Sequence, residues 1–213
     1  MKKIALLGTG AFAVQLVDHI RMSGQYQFVG YIGEKGFSGN EFVAEDELVC
    51  FNEDIFEKFA SGIFDCVFIG IGYANKLVKN KLYELVKGKI PLANIIHPTA
   101  VIFPNAVLGE GILIGAYSIV GRNTVINDNV AIVNAVSVGH DCILGKHTYV
   151  ASRAAIAGRV SIGEYCFIGL NASVRDEIAI GNNVTLGIGS VSIKDIKDDM
   201  VCVGNPARCI RNQ

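Results

Sequence analysis

The chain has 213 residues, 51% of them hydrophobic and only 18% charged, which supplies apolar material for one or two buried cores and excludes a disordered chain. With 19 basic residues against 20 acidic ones the net charge is −1, lacking the cationic excess that neutralises a phosphate backbone, so a nucleic-acid partner is not expected. Twenty-four glycines and no tryptophan favour tight turns and small inward side chains, the balance of a repetitive β architecture.

The chain opens on Lys2-Lys3 and an apolar run over residues 4–7, superficially like a secretory signal until Gly8 and Gly10 interrupt it. Residues 11–22 then carry apolar side chains at helical spacing, Phe12, Leu16, Val17 and Ile20, and Gly24 stops that helix. A second strand over 27–32 ends at Gly33-Glu34, where an acidic side chain suits either a ribose or a solvated turn. Residues 66–69 form a further buried strand, with Gly70 and Gly72 ahead of a second helix from about residue 73 to 86. The pattern Gly8-x-Gly10-x-x-Ala13 lets backbone N–H groups and a helix N-terminus approach a phosphate, and it serves a plain strand-to-helix turn equally well. Roughly 90 residues are too few for the two mononucleotide halves of a dinucleotide fold, so a single nucleotide fits here and a nicotinamide dehydrogenase does not.

From Ile96 onward every sixth residue is aliphatic, through Ile102, Leu108, Ile114 and so on to Leu186, sixteen positions in succession. Four residues after them come small or modest side chains, including Ala100, Ala106, Ser118, Thr124, Val136, Cys142, Ala154, Cys166, Ala172 and Ser190, and the next residue is often Gly. Helices repeat at 3.6 and flat sheets at 2, so a sustained six predicts a parallel β-helix. Three hexads close one triangular coil of 18 residues, and coils stack at roughly 4.8 Å, the ordinary strand spacing. The repeat stops after Ser192, and residues 194–213 are expected to cap the open end. Cys50, Cys66, Cys142, Cys166, Cys202 and Cys209 contain no C-x-x-C pair and are expected to be reduced thiols of a cytosolic protein. No apolar run approaches the roughly 18 residues that span a bilayer, so no membrane association is expected.

The segments Gly8-Thr9-Gly10-Ala11-Phe12, Gly30-Tyr31-Ile32-Gly33-Glu34, Ile96-His97-Pro98, Gly139-His140-Asp141-Cys142 and Gly204-Asn205-Pro206-Ala207-Arg208 together resemble the bacterial nucleotide-sugar acetyltransferases of the sialic-acid/bacillosamine acetyltransferase family, within the hexapeptide-repeat superfamily. The resemblance spans nearly the whole chain. It implies a Rossmann-like α/β half domain over 1–92 that binds a nucleotide sugar, a left-handed parallel β-helix over 93–193, a cap over 194–213, and a homotrimer. It further implies acetyl-CoA as donor and a nucleotide-linked amino sugar as acceptor, in the cytoplasm, for surface glycan synthesis. The family's general base matches His140, with Asp141 tuning it, and an asparagine ahead of the base is matched by Asn134. Acetyl-CoA is implied near Tyr149, Gly158, Leu170 and Ile188, and the nucleotide near Gly10, Ala11, Phe12, Gly33, Glu34 and Gly72. The chain departs from the family in three places: Gly33-Glu34 stands for a pair of aspartates, Tyr149 for a histidine of the bacillosamine branch, and Asn134 precedes His140 by six residues rather than seven. The identity of the sugar and of the nucleotide stays open.

The residues carry a chemistry of their own. A protonated amine is no nucleophile, so acyl transfer to it needs a base near neutral pH, and imidazole, with an ordinary pKa of about 6.5, suits that task. His140 falls two residues past Val138, an offset that elsewhere holds Glu110, Arg122, Asp128, Asn134, Lys146 and Glu164, so it belongs to an outward polar corner rather than the core. Asp141 is placed to fix its tautomer, provided the chain bends between them. Gly158, 18 residues on, puts a backbone N–H where a thioester oxygen can sit, a donor worth roughly 3 kcal/mol in an oxyanion hole. Lys194 shares the column 140, 158, 176, 194 and, with Arg208, is a candidate partner for CoA phosphates. Cys142 invites an acyl-enzyme alternative, although its inward slot favours packing, and His147 lies seven residues on without the further ligands a metal needs, so no metal is expected. Three readings remain: N-acetylation of an amino sugar, O-acetylation of a sugar hydroxyl with the same base and donor, and a nucleotide-binding trimeric scaffold without turnover.

Overall fold

The computed structural model describes residues 1–37 and 42–212, in two compact units that meet between Ile95 and Ile96. In the first unit the run after Lys2-Lys3 becomes strand β1 (Lys2–Leu7), and α1 (Ala11–Ser23) follows from Gly10 and closes at Gly24 in the left-handed region. Next come β2 (Tyr26–Gly33), β3 (Leu48–Phe51), α2 (Ile55–Ala60), β4 (Cys66–Ile69) and α3 (Lys76–Val86). All strand pairs are parallel, in the order β3-β2-β1-β4. A parallel sheet is covered on both faces, which is why Ile4, Ala5, Leu6 and Leu7 are buried in succession instead of alternating with polar residues. The buried stripe of α1 is Ala13, Leu16, Val17 and Ile20, while Phe12, expected in it, is only half-buried. One mononucleotide-sized half is thus present. Neither β3 nor α2 is evident from the sequence pattern.

In the second unit each hexad yields a two-residue strand ending on its aliphatic residue, as in Ser137–Val138 and Ile143–Leu144. Strands 18 residues apart pair in register, Ser137 with Ala155 and Ile143 with Ser161, and they assemble three parallel faces. This is the parallel β-helix that the pattern predicts, of the left hand that the resemblance implies, with an N-terminal α/β unit. The aliphatic positions from Ile114 to Leu186 point into the prism, each contributing roughly 1.5–3 kcal/mol of transfer free energy. The small-residue slot is also interior, and its hydroxyls cap turn carbonyls: Ser118 Oγ donates to Val133 O at 2.6 Å and Thr124 Oγ1 to Gly139 O at 2.7 Å. From Asn105 to Gly189 each turn places one residue at positive φ, among them Tyr117, Asn123, Ala135, Asp141, His147 and Arg153. For a residue other than Gly that conformation costs roughly 1 kcal/mol, offset by the burial of the next aliphatic side chain. Glycines stack in the column beside the turns because the coils approach there; a Cβ on Gly139 would lie 2.6 Å from the carbonyl carbon of Ala157.

The repeat does not continue at 18 to the end. Ile180 bridges to Ile196 and Leu186 pairs with Cys202, both 16 residues apart, so the last coil is two residues short. Strands Met200–Val203 and Arg208–Asn212 then form an antiparallel hairpin on the largest face. That hairpin corrects the expectation of six reduced thiols. It makes Cys202 and Cys209 register partners with Cα atoms 3.9 Å apart, and they are joined as a disulfide, while Cys50, Cys66, Cys142 and Cys166 are free and buried. Among the described residues no helix is long and apolar enough to cross a membrane.

Candidate active site

His140 and Asp141 occupy the turn between the strands Ser137–Val138 and Ile143–Leu144. Neighbours in an extended strand point apart, but Asp141 is bent into the left-handed region at φ 56°, so both side chains leave the same corner. His140 Nδ1 and Asp141 Oδ2 are 2.7 Å apart. Asn123, one coil below, donates from Nδ2 to Asp141 Oδ1 at 2.9 Å. These two hydrogen bonds, the Asn123 amide first and the His140 ring second, hold the Asp141 carboxyl below its ordinary range, with the Arg159 charge helping. Asp141 is therefore an anion at neutral pH and accepts from Nδ1–H, which leaves the lone pair of the neutral ring on Nε2. The His140 side chain is 53% exposed and Nε2 lies over Gly158 of the next coil, where a Cβ would sit 2.6 Å from it. Arg159 is itself held by Glu177, with Nη2 at 2.7 Å and Nε at 2.8 Å from Oε1.

Two backbone donors are open at this corner. At three other turns the N–H at the same offset is capped by an Asn or Asp one coil on: Glu110 N by Asp128, Ala116 N by Asn134, Glu164 N by Asn182. His140 is followed by Gly158, which has no side chain to supply a cap. Among the described residues neither His140 N–H nor Gly158 N–H makes a hydrogen bond. An exposed imidazole with a free Nε2 beside uncapped N–H donors is an arrangement for taking a proton while stabilising a developing oxyanion.

Asn134 sits elsewhere. Six residues along the coil is one whole side of the triangle, so Asn134, Leu170 and Ile188 share the preceding edge, while His140 and Gly158 occupy the next. Leu170 and Ile188 are exposed there, and Tyr149 stacks on Phe167 at 5.9 Å on the face before that edge. Lys194 and Arg208 are exposed, with Lys194 at the point where the spacing falls to 16, so counting in eighteens from His140 ends there. Cys142 is fully buried, its Sγ donates to Ala157 O at 3.1 Å, and burial pushes its thiol up from the ordinary range. It is unsuited to attack a thioester. Replacing Cys142 by Ala is expected to cost about 1 kcal/mol of stability and to leave turnover unchanged, whereas an acyl-enzyme predicts its abolition; single-turnover kinetics of the variant decide. His147 is 7% exposed, 2.9 Å from Asn129 Nδ2 and stacked on Tyr165. Among the described residues no three His, Cys, Asp or Glu side chains are grouped to hold a metal.

In the first unit a cavity of about 200 Å³ opens at the C-terminal ends of β1 and β2. Gly33 and Glu34 line it, and Lys81 reaches Glu34 at 3.5 Å. Gly10, Ala11, Phe12 and Gly72 are not among its lining residues; they belong to the start of α1 and the turn before α3. Thr9, Asn52 and Asn75 do line it; Thr9 stands between the two glycines of the opening motif without being singled out, and Asn52 and Asn75 carry no sequence signal, Asn52 because the β3 strand preceding it is only four residues long.

No protein-family model and no curated protein matches the chain. Solved structures do. PerB from Caulobacter crescentus, solved with CoA and GDP-perosamine, is 26% identical over 99% of this chain and 98% of its own, with a TM-score of 0.87. The same organism's perosamine N-acetyltransferase, with a histidine replaced by asparagine, aligns at 25% identity over 100% and 98% of the two chains, also at 0.87. The acetyltransferase domain of PglB from Neisseria gonorrhoeae, solved with acetyl coenzyme A, is 26% identical over 98% and 99%, at 0.85.

Proposed function

We infer that the chain is an acetyl-CoA-dependent N-acetyltransferase of a nucleotide-linked amino sugar, built on a hexapeptide-repeat β-helix. The observation that carries this reading is the exposed His140–Asp141 pair, with Nε2 over Gly158, in a chain that aligns end to end with N-acetyltransferases solved with CoA or acetyl-CoA. Asp141 holds the ring so that Nε2 accepts. As the sugar amine attacks the thioester carbonyl, Nε2 takes the amine proton, and the carbonyl oxygen turns anionic against the His140 and Gly158 N–H groups. When the tetrahedral adduct collapses, the C–S bond breaks and His140 returns the proton to the departing thiolate, leaving amide and free CoA. The unit 1 cavity, with Glu34 at its wall, receives the nucleotide.

The working form is a homotrimer. Asn134, Leu170 and Ile188 lie on a different edge from His140, so a site using both sets needs the edge of a second copy. Outward Val101, Ile119, Val107 and Ile143 are exposed apolar residues on the two faces flanking the His140 edge, as a buried contact requires. Lys194 and Arg208 are placed for CoA phosphates, and the enzyme works in the cytoplasm on precursors of surface glycans. The test is acetyl-CoA consumption with UDP-, dTDP- and GDP-linked 4-amino sugars alongside their hydroxyl counterparts. One amino sugar is expected to turn over, in a species sedimenting at three times the 22.8 kDa chain mass. Preference for a hydroxyl sugar, or no turnover with any, refutes the reading.

A further inference from the structure

The carboxylate that orients the His140 ring is itself fastened from a different coil. Asn123 and Asp141 hold equivalent turn positions on successive coils, both at positive φ, 59° and 56°. An ionised carboxylate only accepts hydrogen bonds, so the group that Asn123 turns towards it is the –NH2, 2.9 Å from Oδ1. The other oxygen, Oδ2, is 2.7 Å from His140 Nδ1. The carboxylate is thus held at both oxygens, and the coil below sets its plane before the imidazole meets it. The Asp141 side chain is 46% exposed and that of His140 53%, so a lone bond between them would have to order two mobile side chains at once. Pinning Oδ1 from below removes the part of that entropic cost that belongs to Asp141.

What Asn123 supplies is direction rather than charge. Without its amide the Asp141 carboxyl returns towards its ordinary pKa of about 3.9 and is still an anion at neutral pH, with the Arg159 cation nearby. Its Oδ2, however, is then free to rotate away from Nδ1. The same stack recurs where there is no histidine: Asn183 Nδ2 donates to Asp199 Oδ1 at 2.8 Å, and the residue before Asp199 is Asp198, which accepts from Asn182 N. There the bond fastens one coil to the next; at Asn123 it also aims the second oxygen of the aspartate at an imidazole. We propose that Asn123 is a positioning residue of the acetyl transfer, acting through Asp141 to hold His140 in the tautomer whose Nε2 is free. The inference rests on the acetyltransferase reading above and adds to its histidine–aspartate pair a residue from a second coil.

Asn123→Gly removes the amide and suits the left-handed backbone; Asn123→Asp keeps the shape, sets a second acceptor against the carboxylate, and guards against misfolding of the glycine variant. Both are expected to lower kcat about tenfold, the lower end for loss of a group that orients a direct participant, with KM for acetyl-CoA and for the amino sugar unchanged. Asn183→Gly, which cuts the equivalent bond away from the site, is expected to leave kcat as it is. In an Asp141→Ala background, Asn123→Gly is expected to cost nothing further. The ring gives a readout that a fastening role would not move: proton–nitrogen correlation NMR of the full chain above the ordinary imidazole pKa of about 6.5, with the His140 signals identified by their loss in His140→Ala. The unmutated chain is expected to show Nδ1–H and a bare Nε2, and Asn123→Gly a shift of population towards Nε2–H. An unchanged tautomer or an unchanged kcat in Asn123→Gly, or an Asn183→Gly protein that is as slow, overturns the inference while the acetyltransferase reading stands. If the unmutated chain turns over no amino sugar, both fall.

Discussion

Replacing His140 by alanine is expected to lower turnover at least about 10²-fold, the range for loss of a positioned general base. The same variant is expected to unfold within about 0.5 kcal/mol of the parent, because an exposed side chain away from the core contributes little to stability. The two halves of the expectation come from one geometry. The ring is 53% exposed and touches the coil above through a glycine, so nothing in the prism depends on it. Its proposed contribution is to accept the amine proton at Nε2, a task no neighbour can assume: Arg122, one coil below it, and Arg159, one coil above Asp141, carry cations, and Asp141 is held ionised by Asn123 and committed to Nδ1. Steady-state rates with acetyl-CoA and the amino sugar, with thermal melts of both proteins, provide the check. An unchanged rate removes His140 from the chemistry, and a lost fold with a lost rate makes it structural.

Most of the β-helix is legible in sequence because its period is dictated by sterics at every coil. An aliphatic residue must point inward every sixth position, a glycine must often follow where coils touch, and the turn admits residues that tolerate positive φ, such as Asn105, Asn123, Asn129 and Asp141. The candidate catalytic corner is half legible. That His140 is exposed follows from its offset, but the bond to Asn123 Nδ2 follows only from the stacking of position 123 under 141, and the open N–H of Gly158 only from the hydrogen bonds of the folded coil. Asn134 shows the opposite effect: a linear spacing that brackets the histidine places the two side chains on separate edges of one chain. The register shift to 16 after Ser192 leaves no mark in the hexads, since it begins where they end, and so neither the position of Lys194 nor the pairing of Cys202 with Cys209 can be counted out in advance. In the first unit the four buried residues of β4 are plain as an apolar run, whereas β3 is four residues bounded by acidic and polar side chains, and Asn52 at its end has no motif at all.

Gly158→Ala is expected to cost roughly 10²-fold in turnover although it adds only a methyl group, because displacing a catalytic group by about 1 Å has that effect. The new Cβ would lie 2.6 Å from His140 Nε2 and 2.8 Å from Cε1, distances that real Cβ atoms do not hold, so the ring must leave its place. The far end of an exposed side chain moves at small cost, and Gly158 itself lies outside the positive-φ region, so alanine fits its backbone and the fold is retained. What is lost is alignment: with Nδ1 drawn off Asp141 Oδ2, the tautomer that leaves Nε2 basic is no longer enforced. A double-mutant cycle separates the two roles of this glycine. If Gly158 acts only by making room for the ring, the double variant with His140→Ala is no slower than His140→Ala alone, since the ring whose place the methyl takes is already gone. If its N–H also stabilises the oxyanion and the methyl disturbs that contact, the double variant falls further. A Gly158→Ala protein with undiminished turnover shows that His140 does not act from the position in which it stands over Gly158, and the geometry assigned to the base must then be abandoned.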